Sequence, residues 1–122
     1  MSSSDADCSL CRPEDVVVEN DLVYVARDRF ALSPGHVIAV PRRHVADFFD
    51  MTAAEKQAIL ASLDEAKVLI DREHKPEGYN IGVNIGAAAG QSRLHVHVHL
   101  IPRYRGDVAD PRGGIRCVLP KR

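Results

Sequence analysis

The sequence predicts an α+β domain, an antiparallel sheet with one long helix packed on one face. Three observations point to it. Thr52-x-x-Glu55 is a capping box that opens an amphipathic stretch. Short apolar runs at 16–19, 22–26, 36–40 and 79–83 are bounded by turn residues. A final run, Leu94–Ile101, alternates between apolar residues and histidine up to Leu100. The 122 residues fit one domain, 1–122, with little room for a second.

Residues 1–7 are rich in Ser and Asp and are expected to form a flexible tail. Val16–Glu19 and Leu22–Ala26 read as two short strands or a hairpin around Asn20-Asp21. Ser33-Pro34-Gly35 marks a turn, followed by a strand His36–Val40 that stops at Pro41. In the helix, Ile59, Leu63, Ala66 and Ile70 fall at helical spacing, with Leu60 beside them. Lys67 and Arg72 suit its C-terminal dipole, and Pro76 and Gly78 end it. Then come a strand Tyr79–Val83, a Gly/Ala loop Gly86–Gly90, and the strand Leu94–Ile101 ended by Pro102. Residues 103–122 carry Gly106, Pro111, Gly113, Gly114 and Pro120 and read as an irregular arm.

Hydrophobic residues make up 45% of the chain and charged residues 27%, a balance that folds. A formal net charge of −1 gives no broad attraction to nucleic acid or to an anionic membrane, so neither is expected as a partner. No apolar run is long enough to span a bilayer, and the N-terminus does not read as a signal peptide, which makes the cytoplasm the expected location.

In Leu94-His-Val-His-Val-His-Leu100, a period of two sends the apolar residues to one face and His95, His97 and His99 to the other. A solvated polar row would more ordinarily be filled by Thr, Lys, Glu or Arg. Two functional readings remain. The row could bind a metal, or one imidazole could act as a nucleophile with its neighbours fixing its tautomer. The preceding Gly90-Gln91-Ser92 offers a close backbone approach and short polar donors, which suit a phosphate-like anion better than a metal.

Cys8-x-x-Cys11 supplies half of a four-ligand zinc site. A redox dithiol and a pair of simple thiols are the other readings, though no thioredoxin-like βαβ pattern surrounds it. Cys117 stands alone in the arm. His74 reads as a helix-end residue, and Arg42 and Arg43 as solvated strand-end charges. The Gly-rich basic arm could cover the active site of its own or a partner subunit, or simply pack.

The stretch Asn84–Arg103, with Gly-Gln-Ser before HVHVH, resembles the signature of the histidine triad (HIT) family of nucleotidyl hydrolases and transferases. Ser33–His44 is similar to the family's second marker, a fourth histidine on a strand ending in Pro. The likeness runs from about Cys8 to Arg103. It implies a HIT fold of about five antiparallel strands with one long helix and a short one, the sheet extended across a homodimer.

The resemblance also implies roles. His97 is the nucleophile, His99 lies by the phosphate, and His95 and His36 complete the catalytic network. Gln91 and Ser92 meet the phosphate or leaving group, Asn84 lies near sugar and phosphate, and Asp28 grips the ribose. The base is expected near Val23 and Val25. Catalysis needs no cofactor. A structural zinc held by Cys8, Cys11, His44 and His95 is implied by family members that carry CxxC. A third histidine, where the uridylyltransferase branch has Gln, implies a hydrolase or phosphorylase. The substrate is then a purine nucleotide derivative, a dinucleoside polyphosphate or a phosphoramidate. The alternative is a nucleotide-binding regulatory protein without catalysis.

Overall fold

The computed structural model describes residues 7–120, so all but Asp7 of the expected N-terminal tail lies outside the described residues. Five strands, β1 (Val16–Glu19), β2 (Val23–Arg27), β3 (Val37–Pro41), β4 (Gly78–Val83) and β5 (Val98–Arg103), accompany one long helix, α1 (Ala53–His74). The sheet has the order β1-β2-β3-β5-β4, antiparallel throughout.

The expected capping box starts α1. Thr52 Oγ1 accepts the Glu55 N–H at 3.0 Å, and the Glu55 carboxylate accepts the Thr52 N–H at 2.8 Å. Glu55 also receives a two-pronged bond from Arg43 at 2.8 and 3.1 Å, so Arg43 braces the helix start. Lys75, at φ 52°, caps the other end in the left-handed region. Ile59, Leu63, Ala66 and Ile70 face Val23, Val25, Val37, Ala39, Val98 and Leu100 in the main core. Each large aliphatic side chain buried there contributes about 1.5–3 kcal/mol relative to exposure. Gly35, at φ +90°, turns the chain into β3 against the end of α1; an added Cβ would lie 3.0 Å from His74 Cδ2.

Residues of β2 and β3 that alternate with the core, namely Tyr24, Ala26, Ile38 and Val40, point to the opposite face. There the N-terminal arm covers them with Cys8 and Leu10, and Tyr24 donates its hydroxyl to the Leu10 carbonyl. Burial, with the nearby cysteines adding, pushes the Tyr24 phenol up to about 12, so it stays a neutral donor.

The last strand is shorter than its alternation suggests. Regular pairing begins at Val98, whereas Val96 N–H bonds the Val45 carbonyl at 2.8 Å. The partner β4 ends at Val83 and turns into the Gly86–Gly90 loop, which leaves 94–97 without a ladder partner on that side. Its backbone stays extended enough to preserve the facing: Val96, Val98 and Leu100 are all in the core.

The C-terminal arm is more ordered than expected. Arg103 clamps Asp107 with two bonds of 2.8 Å and donates to Asn80 at 2.6 Å. Tyr104 bonds the Pro34 carbonyl, Arg105 pairs with Glu77, and Gly114–Val118 forms a short 3-10 turn.

Candidate active site

The face opposite α1 carries the histidines, and their ring nitrogens can be assigned from partners with a single role. A carbonyl only accepts and a backbone N–H only donates. His97 Nδ1 lies 3.0 Å from the His95 carbonyl, so it carries the proton and Nε2 keeps the lone pair. His95 Nε2 lies 2.7 Å from the Pro41 carbonyl, so its lone pair is on Nδ1. Leu32 N–H reaches His36 Nδ1 at 3.0 Å, so the proton of neutral His36 sits on Nε2. That Nε2 is 3.0 Å from His99 Nδ1, which must accept, leaving His99 with its N–H on Nε2. The sequence of bonds thus produces one imidazole with an open lone pair, His97, beside one set to donate, His99. Their rings meet edge to face with centroids 5.0 Å apart.

Burial lowers the pKa of His36, His97 and His99, so all three favour the neutral form. The Asp28 carboxylate opposes the shift at each of them, while Arg93 reinforces it at His97 and His99. Asp28 accepts Phe30 N–H through one oxygen and turns the other toward His36 Nε2 at 3.3 Å and His99 Nδ1 at 3.5 Å. Asp28, His36 and His99 are spaced closely enough to share a metal ion. The backbone donor on His36 Nδ1 argues against one, because it forces the proton onto the nitrogen that would have to ligate. This group reads as a hydrogen-bond relay.

A second group gathers around His95. The ligand atoms of Cys8, Cys11, His44 and His95 all lie within 4.8 Å of one another. Cys8 Sγ and Cys11 Sγ are 3.3 and 3.4 Å from His95 Nδ1, and Cys11 Sγ is 3.2 Å from His44 Nδ1. Zinc bonds of about 2.0–2.3 Å place neighbouring donors of a tetrahedron about 3.3–3.8 Å apart. Two thiols and two imidazoles, with the His95 lone pair already turned inward by Pro41, fit such an ion. No disulfide involves these cysteines.

A cavity of about 430 Å³ opens over His97 and His99, while His95 is buried and not on its lining. Of the sequence-predicted residues it brings together Asp28, His36, Asn84, Ser92, His97 and His99. Gln91 is not on its lining: its amide nitrogen donates to the Ala46 and Arg93 carbonyls and its oxygen accepts from Gly86 N–H. It braces the loop that presents Ser92. Val23 and Val25 lie in the core under α1, on the face away from the histidines, because period two sets them opposite Tyr24 and Ala26. Beside the histidine cavity, a smaller one is bounded by Leu10, Tyr24, Ala26, Ile38 and Arg93, and Arg93 borders both.

Arg93, Asn80, Gly82 and Ile115 also line the histidine cavity, and sequence reasoning did not single them out. Asn80 and Gly82 share a strand face with Asn84 by period two, a signal that was available. Nothing local marks Ile115, which arrives by the path of the arm.

A family model described as the HIT domain matches residues 10–106. The AP-4-A phosphorylase of Mycobacterium tuberculosis is 38% identical over 93 residues, 75% of this chain and 48% of that protein. The asymmetrical bis(5'-nucleosyl)-tetraphosphatase of Schizosaccharomyces pombe is 36% identical over 77 residues, 63% of this chain and 42% of that protein. The chain thus spans about half the length of these relatives. A crystal structure of a HIT family protein from Bacillus anthracis superimposes with a TM-score of 0.77 at 30% identity, over 83% of this chain and 76% of that one.

Proposed function

The chain belongs to the histidine triad family, and from that membership we propose that it is a nucleotidyl hydrolase or transferase in which His97 attacks the α-phosphate of a purine nucleotide derivative. One observation carries the reading: the His95 carbonyl holds the proton of His97 on Nδ1, which leaves Nε2 as a lone pair at the cavity over the histidine row. The names of the two relatives support dinucleoside polyphosphates as the substrate class, with phosphoramidates as the other candidate.

In the first step the Nε2 lone pair forms a P–N bond as the bond from phosphorus to the leaving group breaks. In the second, water or inorganic phosphate attacks the same phosphorus, breaks the P–N bond and returns His97 to its neutral form. The His99 N–H, set by His36, donates to a phosphoryl oxygen and stabilises charge that grows in the transition state. Ser92 and Asn84 add polar groups to the cavity wall, and Asp28 is assigned to the ribose. With Val23 and Val25 facing the helix, the base is assigned to the smaller cavity under the N-terminal arm.

Cys8, Cys11, His44 and His95 would hold a structural zinc. When bound, it ties the arm to the catalytic strand and fixes the His95 ring. The His95 backbone carbonyl then has a fixed position from which to orient His97. A homodimer belongs to the same proposal. Among the described residues β4 pairs only with β5, and its Ile81 is exposed, which leaves an edge for a second copy. The cytoplasm remains the expected location.

The test is a panel of diadenosine polyphosphates and adenosine phosphoramidates, with and without inorganic phosphate. Turnover that His97→Ala abolishes in a folded protein supports the proposal, and phosphate dependence identifies a phosphorylase. Tight nucleotide binding with no turnover of any member would instead fit the non-catalytic alternative.

A further inference from the structure

In β4, Gly82 stands directly opposite His99 across the sheet. It lies on that strand face between Asn80 and Asn84 and has no side chain. The space above it is taken by Ile115 from the C-terminal 3-10 turn, whose Cδ1 lies 3.9 Å from where a Cβ on Gly82 would sit. Ile115 is 54% exposed and lines the histidine cavity, together with Ile101 on β5. The arm that delivers it is fastened at its start, where Arg103, Tyr104 and Arg105 bond Asn80, Pro34 and Glu77 at 2.6–3.0 Å. The turn that carries Ile115 lies on β4 itself: a Cβ on its Gly114 would sit 3.6 Å from Asn80 Nδ2.

The cavity has two unlike sides. On the β2 side are Asp28 and the loop bearing Phe30 and Leu32. On the β4 side are Asn80, Gly82, Asn84 and Ile115, with no cationic side chain among the described residues of that wall. The inference rests on the catalytic reading above, in which Asp28 holds the ribose. With the nucleoside on the β2 side, the wall of the cavity left for the leaving group is the β4 side, where Ile115 stands. We propose that Ile115 is a specificity-determining residue that contacts the leaving group and favours one with an apolar or aromatic portion over a small polar one. Its location on one side of the reacting phosphorus means that it touches the substrate but not the nucleotidyl-His97 formed after departure.

The experiment compares two adenosine 5'-phosphoramidates, one releasing ammonia and one releasing a phenylalkylamine. Both pass through the same adenylylated enzyme. Ile115→Ala should lower kcat/KM for the phenylalkylamine derivative about tenfold. It should leave the ammonia derivative within twofold, and leave hydrolysis of the common intermediate unchanged in single turnover. Ile115→Phe should restore or raise the preference for the aryl compound, which separates lost contact from a displaced arm. Thermal unfolding of each variant verifies the fold. Equal loss on both substrates, or no loss on either, with active wild-type enzyme overturns the role of Ile115 alone. Wild-type protein inactive on both derivatives and on diadenosine tetraphosphate overturns the catalytic reading, and the inference with it.

Discussion

Replacing His36 with Leu removes the centre of the bond sequence that sets His99. His36 receives Leu32 N–H at 3.0 Å and donates to His99 Nδ1 at 3.0 Å, and it is 3% exposed. Without it, His99 Nδ1 has no enforced acceptor role, and the tautomer with its lone pair facing the phosphate becomes populated. Losing the partner that orients a metal-ligating imidazole costs about 10- to 100-fold, and a similar loss is expected for the phosphate-donating His99, about 1.4–2.8 kcal/mol of transition-state stabilisation. The orphaned Leu32 N–H adds about 1 kcal/mol of lost fold stability at a partly buried position. His36→Gln, whose amide can still donate, should recover most of the rate. The assay is kcat/KM with a diadenosine polyphosphate, paired with nitrogen NMR shifts of His99 in the substrate-free protein. His36→Leu with activity within threefold of wild type and an unchanged His99 tautomer would refute the reasoning.

Cys8→Ser should lose bound zinc and lower the unfolding temperature, whereas His97→Ala should retain the metal; elemental analysis of both purified variants checks this. Because the fold buries His36, His97 and His99 in lowered-pKa settings, the unfolded chain binds these protons more readily. Stability is then full above about pH 6.5 and declines as pH falls through the ordinary histidine range toward the lowered folded values, which denaturant titrations at several pH values would trace. For the same reason the acid limb of kcat should lie below the ordinary histidine pKa. Glu55→Ala removes the carboxylate half of the capping box and the Arg43 partner, while the backbone N–H of residue 55 still reaches Thr52 Oγ1; it should cost about 1 kcal/mol, discounting the exposed Arg43 pair, and lower Tm by about 3–6 °C by calorimetry.

The elements that were legible in the sequence share a cause: a local rule agreed with the tertiary need. The Thr52/Glu55 cap and the Ile59–Ile70 stripe specify α1 on their own. The histidine row was legible because alternation survives even where regular pairing fails, at 94–97. The CxxC group came together with His44 and His95 because the arm folds back over Tyr24 and Val40, a contact no local pattern encodes. The base contacts were misplaced at Val23 and Val25 because apolar strand residues carry no label for which face is the core. Arg93 and Ile115 escaped notice since their places depend on how a loop and an arm cross the sheet. Gln91, read as a phosphate contact, has its amide engaged by loop carbonyls and a backbone N–H.

The most direct measurement is acid-free rapid quenching of the protein with a diadenosine polyphosphate, followed by intact-mass and peptide-mapping analysis. The account predicts a transient, acid-labile nucleotidyl group on the imidazole of His97, formed and consumed at rates that match turnover. Turnover with no such adduct, or with the nucleotide attached to another side chain, would contradict it.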